Sequence, residues 1–468
     1  MAVEITGSDE QTEWFIDELK ASDFGDKRLT SRFTKLVSGL SQQTESSIPA
    51  ALDTWSEACA AYRFLSNKKV TPEKLFSAHK EATLARIKKE KIVLLPQDTS
   101  ELNYSSKTDI EGLGPLNTES HRGFLLHPVL AITPERICLG ALSNTMWVRE
   151  SIGNKGLNRD RPIEKKESIR WLKGFEIAEA AAKESPDTLI VSMTDREGDI
   201  YEFFQLTEGI RESNGAHWLI RSHYNRVTSK KEHGLKQGLW DVVRKRDAGA
   251  QIEFELAKRE DPKTRHVTQE IRFARVKLGG ARRKGKGLKP LTVTAVLATE
   301  INVPAGTEPL EWLLISSLPV TDSEGAVTLL NWYLCRWEIE LFFKILKSGC
   351  RIERLQLEHV DRLFKCITLY MIIAWRIMYI RSMGQKYPNQ SCLVVFSESE
   401  WKSVYCRLHK KKAIPDEPIS LSEMVVLVAR LGGFLARKRD GSPGIQTMWK
   451  GLQRMHDYTQ AWECFRGK

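Results

Sequence analysis

The sequence predicts an α/β fold built on a mixed sheet, and the order of its apolar segments is the main reason. Three strand-like runs come first, followed by an amphipathic helix, a strand, a second helix and a further strand. These segments are KIVLLPQD, FLLHPVLAI, RICLGALS, IEKKESIRWLKGFEIAEAAAKE, LIVSMT, IYEFF and HWLIRS. This order is typical of a ribonuclease-H-like mixed sheet with helices on both faces.

A β-rich basic segment follows and is expected to interrupt that sheet before EWLLISSLPV resumes it. Strand-like patterns occur in QIEFELA, HVTQEIRFARV and LTVTAVLA. Residues 221–290 hold 20 Lys/Arg against 8 Asp/Glu, an excess of 12 that accounts for the whole net charge of +11. A solvated surface or a loose loop would also be basic, but a folded β unit with basic turns suits a phosphate backbone. Nucleic acid is therefore preferred over a membrane surface, since no amphipathic basic helix accompanies the charge.

Three domains are predicted along the chain. Residues 1–75 are typical of a helical domain, with helices at WFIDEL, LTSRFTKLVSGLS and ALDTWSEACAAYRFL. Arg32 and Arg63 lie on these helices beside apolar faces, as in a small DNA-binding domain, although ordinary solvated arginines would look the same. Residues 76–376 form the ribonuclease-H-like domain, with its β-rich insertion at about 223–308. Residues 377–468 are mainly helical and carry no chemical motif, so contact with another protein is their default role.

The composition fits a globular cytoplasmic protein. Hydrophobic residues make up 41% of the chain, and no run approaches the roughly 18 uninterrupted apolar residues of a membrane span. Eight cysteines are scattered without any C-x-x-C pair, so neither a zinc site nor a disulfide framework is indicated. We therefore expect reduced cysteines and no membrane partner.

Two predicted strands end in an acid. In LIVSMTDREGDIYEFF the apolar run ends at Asp195, and in KIVLLPQDTS it ends at Asp98. The carboxyl edge of an α/β sheet is where such folds gather their ligands and chemistry. Each aspartate could instead simply cap the following turn or helix. Glu197, Asp199 and Glu202 follow Asp195 closely and are interpreted as caps or surface acids.

A third acid lies in NWYLCRWEIELFFKILKSG, residues 331–349, which is predicted to form one helix of about five turns. Steps of 100° place its polar residues on one narrow stripe, while most of the circumference is apolar. The stripe consists of Tyr333, Arg336, Glu340, Lys344 and Lys347. A ladder of ion pairs at i, i+4 spacing is one explanation. The other is a site, because three carboxylates from two strand ends and a helix can bind a pair of hard divalent ions.

At these residues the sequence resembles a known family, the DDE transposases of bacterial insertion sequences, specifically the insertion-sequence-four family that includes the transposon-five transposase. The signature Y-x2-R-x3-E-x6-K is met by Tyr333, Arg336, Glu340 and Lys347. A D-R-E-x-D-I block occupies 195–200, and a strand ends in D-T-S at 98–100. Softer similarities, in the same order as in the family, span most of the chain.

The resemblance implies roles for individual residues. Asp98, Asp195 and Glu340 correspond to the catalytic, metal-binding triad, which takes two Mg²⁺ ions, with Mn²⁺ expected to substitute. The DNA-binding positions are Tyr333, Arg336, Lys347, Trp312 and Arg221, to which the arginines of the helical domain, Arg32 and Arg63, are added. Trp312 would stack on a flipped base, or it would simply pack against the core.

The resemblance also implies an activity. Family members cut each transposon end, close and reopen a hairpin, and join the end to target DNA within a homodimer that holds two ends of double-stranded DNA. For this chain we expect such a cut-and-paste transposase, cytoplasmic and associated with a bacterial nucleoid, with residues 377–468 as the dimerisation domain. Two alternatives are a catalytically inactive DNA-binding protein derived from a transposase and a ribonuclease-H-like nuclease without strand transfer.

Overall fold

The computed structural model describes residues 14–52, 54–107, 109–151, 161–208, 215–232, 235–256, 265–280, 282–283, 286–410 and 413–466. Parts of the predicted helical domain (residues 1–13) and of the basic block (233–234, 257–264, 281 and 284–285) lie outside the described residues. The chain forms two compact units. The first unit comprises residues 1–86, 99–152 and 338–468, and the second unit comprises 87–98 and 153–337.

The α-helices are α1 (Trp14–Leu19), α2 (Lys27–Gln42), α3 (Trp55–Ser66), α4 (Pro72–Ile87), α5 (Ile169–Glu184), α6 (Tyr201–Glu208), α7 (Leu239–Arg244), α8 (Ser323–Leu334), α9 (Glu338–Lys344), α10 (Val360–Lys386), α11 (Glu398–His409), α12 (Leu421–Leu431) and α13 (Ile445–Arg466). The strands are β1 (Ile92–Pro96), β2 (Ser100–Asn103), β3 (Gly114–Pro115), β4 (Arg122–Ile132), β5 (Cys138–Trp147), β6 (Leu189–Thr194), β7 (His217–Arg221), β8 (Val227–Glu232), β9 (Leu235–Gly238), β10 (Ala250–Leu256), β11 (Arg265–Leu278), β12 (Arg282–Arg283), β13 (Lys286–Gly287), β14 (Leu291–Ile301) and β15 (Glu311–Ser316).

The first unit contains the N-terminal helices, the hairpin of β4 and β5, and the C-terminal helices. Asp26 caps α2 by accepting a hydrogen bond from the Arg28 N–H, which satisfies one of the free donors of the first turn. The rings of Phe24, Phe33 and Phe64 pack together and join α2 to α3. Strands β2, β3 and β5 each pair antiparallel with β4.

Helix α10 supplies much of the first unit's core. It is the one helix among the described residues that is long and apolar enough, by length and composition, to cross a membrane. In the folded chain, however, 78% of its most apolar window is buried. Burial of this extent is typical of the central helix of a folded core.

The second unit is built on a mixed sheet. Strand β6 pairs parallel with β1 on one side and with β7 on the other, and β15 pairs antiparallel with β7. Helix α8 covers one face, where Val191, Met193 and Leu219 join its apolar residues. Helices α5 and α6 cover the other face, where Phe204 stacks on Trp218. The predicted order of strands and helices, with helices on both faces, is therefore present.

The predicted strands of the basic block are confirmed as β10, β11 and β14. They do not form a separate sheet, because β14 pairs with β15 and β11 pairs with β14. Strand β10 pairs with β11 in turn. In the chain the insertion lies between β7 and β15, as predicted. In the sheet these two strands pair directly, and the strands of the insertion are added beyond β15.

The helix predicted at 331–349 is helical but not regular. It begins earlier, at Ser323 in α8, and passes through a 3₁₀ turn at Cys335–Trp337 into α9. A π-helical turn, Ile345–Gly349, ends it. Uniform 100° steps therefore do not describe the stripe of polar residues, because 3₁₀ and π turns change the angle between successive side chains.

Candidate active site

The two strand-end aspartates lie at the same level of one sheet edge. Strands β1 and β6 run parallel in a register that places Pro96 beside Met193. Asp98 and Asp195 each follow this pair by two residues, so both leave the sheet at its carboxyl edge. Both side chains are partly exposed. This is the edge where α/β sheets place ligands and chemistry.

A cation lies at the same level on the next strand. Strand β7 runs parallel to β6, with Ile220 beside Thr194. Arg221 and Asp195 each follow this pair by one residue. The predicted DNA-binding position at Arg221 therefore lies beside the second aspartate, at the ends of adjacent strands.

Arg336 brings a second cation to this edge. Its guanidinium lies 3.1 Å from Oδ2 of Asp98, while the side chains of Arg336 and Asp98 are only 9% and 22% exposed. The same guanidinium lies over the rings of Tyr333 and Trp337, at 5.9 and 5.4 Å from their centres. One ion pair of Arg336 is thus made with a strand-end acid.

Tyr333 joins the same group of side chains. It lies on α8, and its side chain is buried in the apolar cluster between this helix and the sheet. Burial raises the pKa of its hydroxyl, the guanidinium groups of Arg336 and Arg221 lower it, and the carboxylate of Asp195 raises it further, with a net rise. The second unit therefore brings two acids, two arginines and a tyrosine of the predicted site together.

Glu340 and Lys347 belong to the first unit. Glu340 lies on α9 and is half-buried. Lys347 lies in the π turn, and its Nζ donates a hydrogen bond to the backbone carbonyl of Glu101 over 2.7 Å. Glu338, two residues before Glu340, is buried, and burial raises its pKa while Arg381 and Arg136 oppose that rise.

The predicted metal site requires Asp98, Asp195 and Glu340 together. In the part of the chain that the structure describes, no group of three or more His, Cys, Asp or Glu side chains is arranged to hold a metal ion. The two aspartates at the sheet edge nevertheless offer carboxylate oxygens, the ligands that hard divalent ions prefer. Their chemistry and placement fit such an ion, and the complete triad stays a prediction.

Trp312 lies on β15, half-buried and opposite Ala298 of β14. Its ring stacks on Phe254 of β10, with ring centres 6.3 Å apart and planes 17° from parallel. It also packs against the apolar cluster under α8. The packing role that the sequence allowed is thus present, and base stacking stays a prediction.

Arg32 on α2 and Arg63 on α3 are both exposed. They are therefore accessible for the predicted contacts with DNA.

Asp199 follows the 3₁₀ turn Arg196–Gly198 as its C-cap residue, but the interpretation of Asp199 as a surface acid is wrong. Its side chain is fully buried and forms an ion pair with Arg226. Glu197, in contrast, is exposed and pairs with Arg170 over 2.8 Å. Sequence reasoning missed this ion pair because Arg226 lies 27 residues later in the chain, and no local pattern around Asp199 indicates it.

A pocket of about 340 Å³ opens beside these residues in the second unit. Its lining includes Arg170, Arg196, Asp199, His223 and Tyr224. Some of these lining residues come directly after Asp195 or shortly after the end of β7 in the sequence. Both cationic and aromatic groups line the pocket.

Three family models match the chain. Residues 11–70 match the transposase DNA-binding model, residues 204–376 the transposase DDE domain, and residues 372–466 the transposase Tn5 dimerisation domain. The DDE match contains Glu340 and begins after Asp98 and Asp195. Together the matches cover most of the chain.

The fold, the sheet-edge carboxylates and these matches define a DDE transposase, a DNA-cleaving enzyme whose catalytic domain has a ribonuclease-H-like fold. Within that class, the chain belongs to the Tn5-like DDE transposases. DNA binding and homodimer formation follow from the DNA-binding and dimerisation domains.

Proposed function

We propose that this transposase cuts the ends of its own mobile element by metal-dependent phosphoryl transfer, closes a hairpin at each end and joins the ends to target DNA. The observation that carries the proposal is the placement of Asp98 and Asp195 at one level of the sheet edge, bordered by Arg221 and Arg336. Paired carboxylates can hold divalent ions, and guanidinium groups can hold the phosphate that reacts.

The metal ligands proposed are Asp98, Asp195 and Glu340, which would hold two Mg²⁺ ions or Mn²⁺ in their place. DDE transposases generally use divalent metal ions. Such ions supply charge stabilisation to the attacking and leaving oxygens of the displacement. Since the DDE match contains Glu340, the third acid comes from the matched domain itself.

The protein's own residues orient the DNA. Arg221 and Arg336 neutralise phosphate oxygens beside the aspartates. The hydroxyl of Tyr333 is protonated at neutral pH, as that of any tyrosine is, and can donate a hydrogen bond to a phosphate oxygen. Lys347 completes this grip, and Trp312 offers a ring face for the base flipped out during hairpin closure.

The other domains supply recognition and assembly. Arg32 and Arg63, exposed on the N-terminal helices, contact the transposon end. The dimerisation domain at residues 372–466 brings two chains, and thus two DNA ends, together. Such a complex would act in the bacterial cytoplasm, on the nucleoid.

The test is a cleavage assay on labelled DNA that carries the sequences flanking this gene. With Mg²⁺, the wild-type protein should nick one strand, form a hairpin and then join the end to a target plasmid. EDTA should stop every step. Equal cleavage without divalent ions would overturn the metal-dependent mechanism, and nicks without hairpins or joined products would identify a nuclease.

A further inference from the structure

The buried carboxylate of Asp199 organises the loop that follows β7. Its Oδ2 accepts hydrogen bonds from the backbone N–H groups of His223 and Tyr224, at 2.8 and 3.0 Å, and from the Ser222 hydroxyl at 3.3 Å. Its Oδ1 accepts from Nε and Nη2 of Arg226, at 2.8 and 2.5 Å. One carboxylate therefore fixes the backbone and the side chains of residues 222–226.

Arg226 is held from several sides. Besides the carboxylate of Asp199, its Nη2 reaches the Asp199 backbone carbonyl over 2.6 Å. Its guanidinium lies 5.1 to 5.6 Å from the ring centres of Tyr201, Phe204 and Tyr224. Only 14% of this side chain is exposed. The guanidinium of Arg226 is thus mostly buried and bound to Asp199, so we do not assign it to phosphate binding.

A buried pair of this kind is costly to break, because removing one partner leaves an uncompensated charge in the interior. Its hydrogen bonds all converge on the loop from 222 to 226. We call Asp199, Arg226 and this loop the clamp. The loop of the clamp begins at Ser222, the residue that follows Arg221. The clamp therefore sets the direction in which the chain leaves the sheet edge.

The clamp also presents groups to solvent. Tyr224 is 56% exposed although its backbone N–H is bound by Asp199. Its ring contacts that of His223, with centres 4.7 Å apart. Both residues line the pocket beside Asp195, together with Arg170 and Arg196. The fixed backbone carries exposed rings, and the exposed Arg196 lies beside them, next to the acids. Such a surface suits a DNA strand that runs past the cleavage point.

We infer that Asp199 is a positioning residue for DNA cleavage: through Arg226 and the loop at 222–226 it holds Arg221 against the DNA strand at the Asp98–Asp195 edge. This inference rests on the proposed function. Asp199 itself contacts neither metal nor DNA, and it acts through Arg221. A residue that merely stabilised the fold would affect cleavage whether or not Arg221 was present.

That difference allows a double-mutant cycle. Asp199→Asn keeps the shape of the side chain, removes its charge and places an amide where two backbone N–H groups donate. The rate of single-turnover cleavage, at saturating flanking-sequence DNA and Mg²⁺, is measured for wild type, Asp199→Asn, Arg221→Ala and the double variant. Glu176→Gln, which removes an exposed acid on α5, is the matched control.

We expect Asp199→Asn to slow cleavage about tenfold or more, and to have little further effect once Arg221 is alanine. Glu176→Gln should retain the wild-type rate. Additive effects of Asp199→Asn and Arg221→Ala, or a rate of Asp199→Asn equal to that of Glu176→Gln, would overturn the inference. Wild-type cleavage in the same assay separates these outcomes from a failure of the proposed function.

A second variant protects the test against misfolding of Asp199→Asn, which circular dichroism would reveal. Arg226→Lys keeps the positive charge beside Asp199 but removes the fork that binds Oδ1 and the backbone carbonyl of Asp199. It should give a smaller loss of cleavage, with the same non-additivity towards Arg221→Ala. A fully folded Arg226→Lys protein with the wild-type rate would also overturn the inference.

Discussion

Arg336 donates a hydrogen bond from Nη1 to Oδ2 of Asp98 over 3.1 Å and so links a helix-borne cation to a strand-end acid 238 residues earlier in the chain. The ion pair neutralises an acid that the proposed mechanism assigns to metal binding. In the proposed mechanism, Arg336 and a divalent ion would therefore compete for the same carboxylate. A phosphate of the bound DNA would resolve this competition, because it offers Arg336 a second anion.

This competition predicts the behaviour of Arg336→Gln. Without the guanidinium, Asp98 should bind Mg²⁺ more readily, so half-maximal cleavage should occur at a lower Mg²⁺ concentration. The maximal rate should fall about tenfold or more, because one cation at the phosphate is lost. A Mg²⁺ titration of single-turnover cleavage measures both. Lys344→Gln, an exposed cation on α9, is the control, and an unchanged Mg²⁺ dependence of Arg336→Gln would argue against competition at Asp98.

Trp312 can be tested by separating the steps of the reaction. Trp312→Ala should slow hairpin formation more than the first nick, because only the hairpin requires a flipped base. Gel analysis of both products over time measures the two rates. Phe254→Ala removes the ring on which Trp312 stacks and serves as the packing control. Equal losses in both steps for Trp312→Ala would make it a packing residue only.

The basic insertion predicts a steep salt dependence of DNA binding. Lys245 and Arg246 are exposed after α7. If both contact phosphates, changing them to alanine should make the slope of log K against log salt concentration shallower by about 2. Lys173→Ala with Lys183→Ala, on the exposed side of α5, is the matched control. The same slope in the two double variants would exclude the 245–246 turn from the interface.

Acid should destabilise the first unit through Glu18, His79 and Arg86. Burial opposes ionisation of Glu18, but hydrogen bonds from Arg86 and His79 lower its pKa to about 2. Burial lowers the pKa of His79, which outweighs the opposing effect of Glu18. Both groups bind fewer protons in the folded state than in the unfolded state, so each contributes stability that is lost as pH falls.

For Glu18 the loss occurs between pH 4.5, its unfolded value, and about 2, and should reach about 3 kcal/mol at full protonation. For His79 the loss begins below its unfolded value of 6.5. Urea unfolding from pH 7 to pH 3 measures the decline. Glu18→Gln should be less stable at pH 7 and should show a flatter decline, whereas a decline as steep as that of wild type would contradict this account.

Local patterns predicted much of the second unit. The apolar runs before Asp98 and Asp195 carry the strand signal in a few consecutive residues, and the acid directly follows. The alternation in β11 likewise identifies a half-buried strand without tertiary information. These features depend on near neighbours in the chain, which is why they could be predicted.

Other features depend on contacts between distant residues. The local sequence of Asp199 is typical of a cap or a surface acid. Its burial depends on the ion pair with Arg226, which lies 27 residues later in the chain. The 3₁₀ turn at Cys335–Trp337 interrupts a segment that contains no Gly or Pro, so helix propensity gives no indication of it. The stacking of Trp312 on Phe254 requires strands β10, β11, β14 and β15 to be aligned, which no local pattern specifies.

The central claim is that Asp98, Asp195 and Glu340 hold the ions that drive DNA cleavage, and single-turnover cleavage of flanking DNA tests it most directly. Asp98→Asn, Asp195→Asn and Glu340→Gln should each reduce the rate by about a hundredfold or more while end binding, measured by gel shift, is largely retained. Glu176→Gln, an exposed acid on α5, should match wild type. Cleavage at the wild-type rate in any of the three variants would remove that residue from the triad and contradict the account.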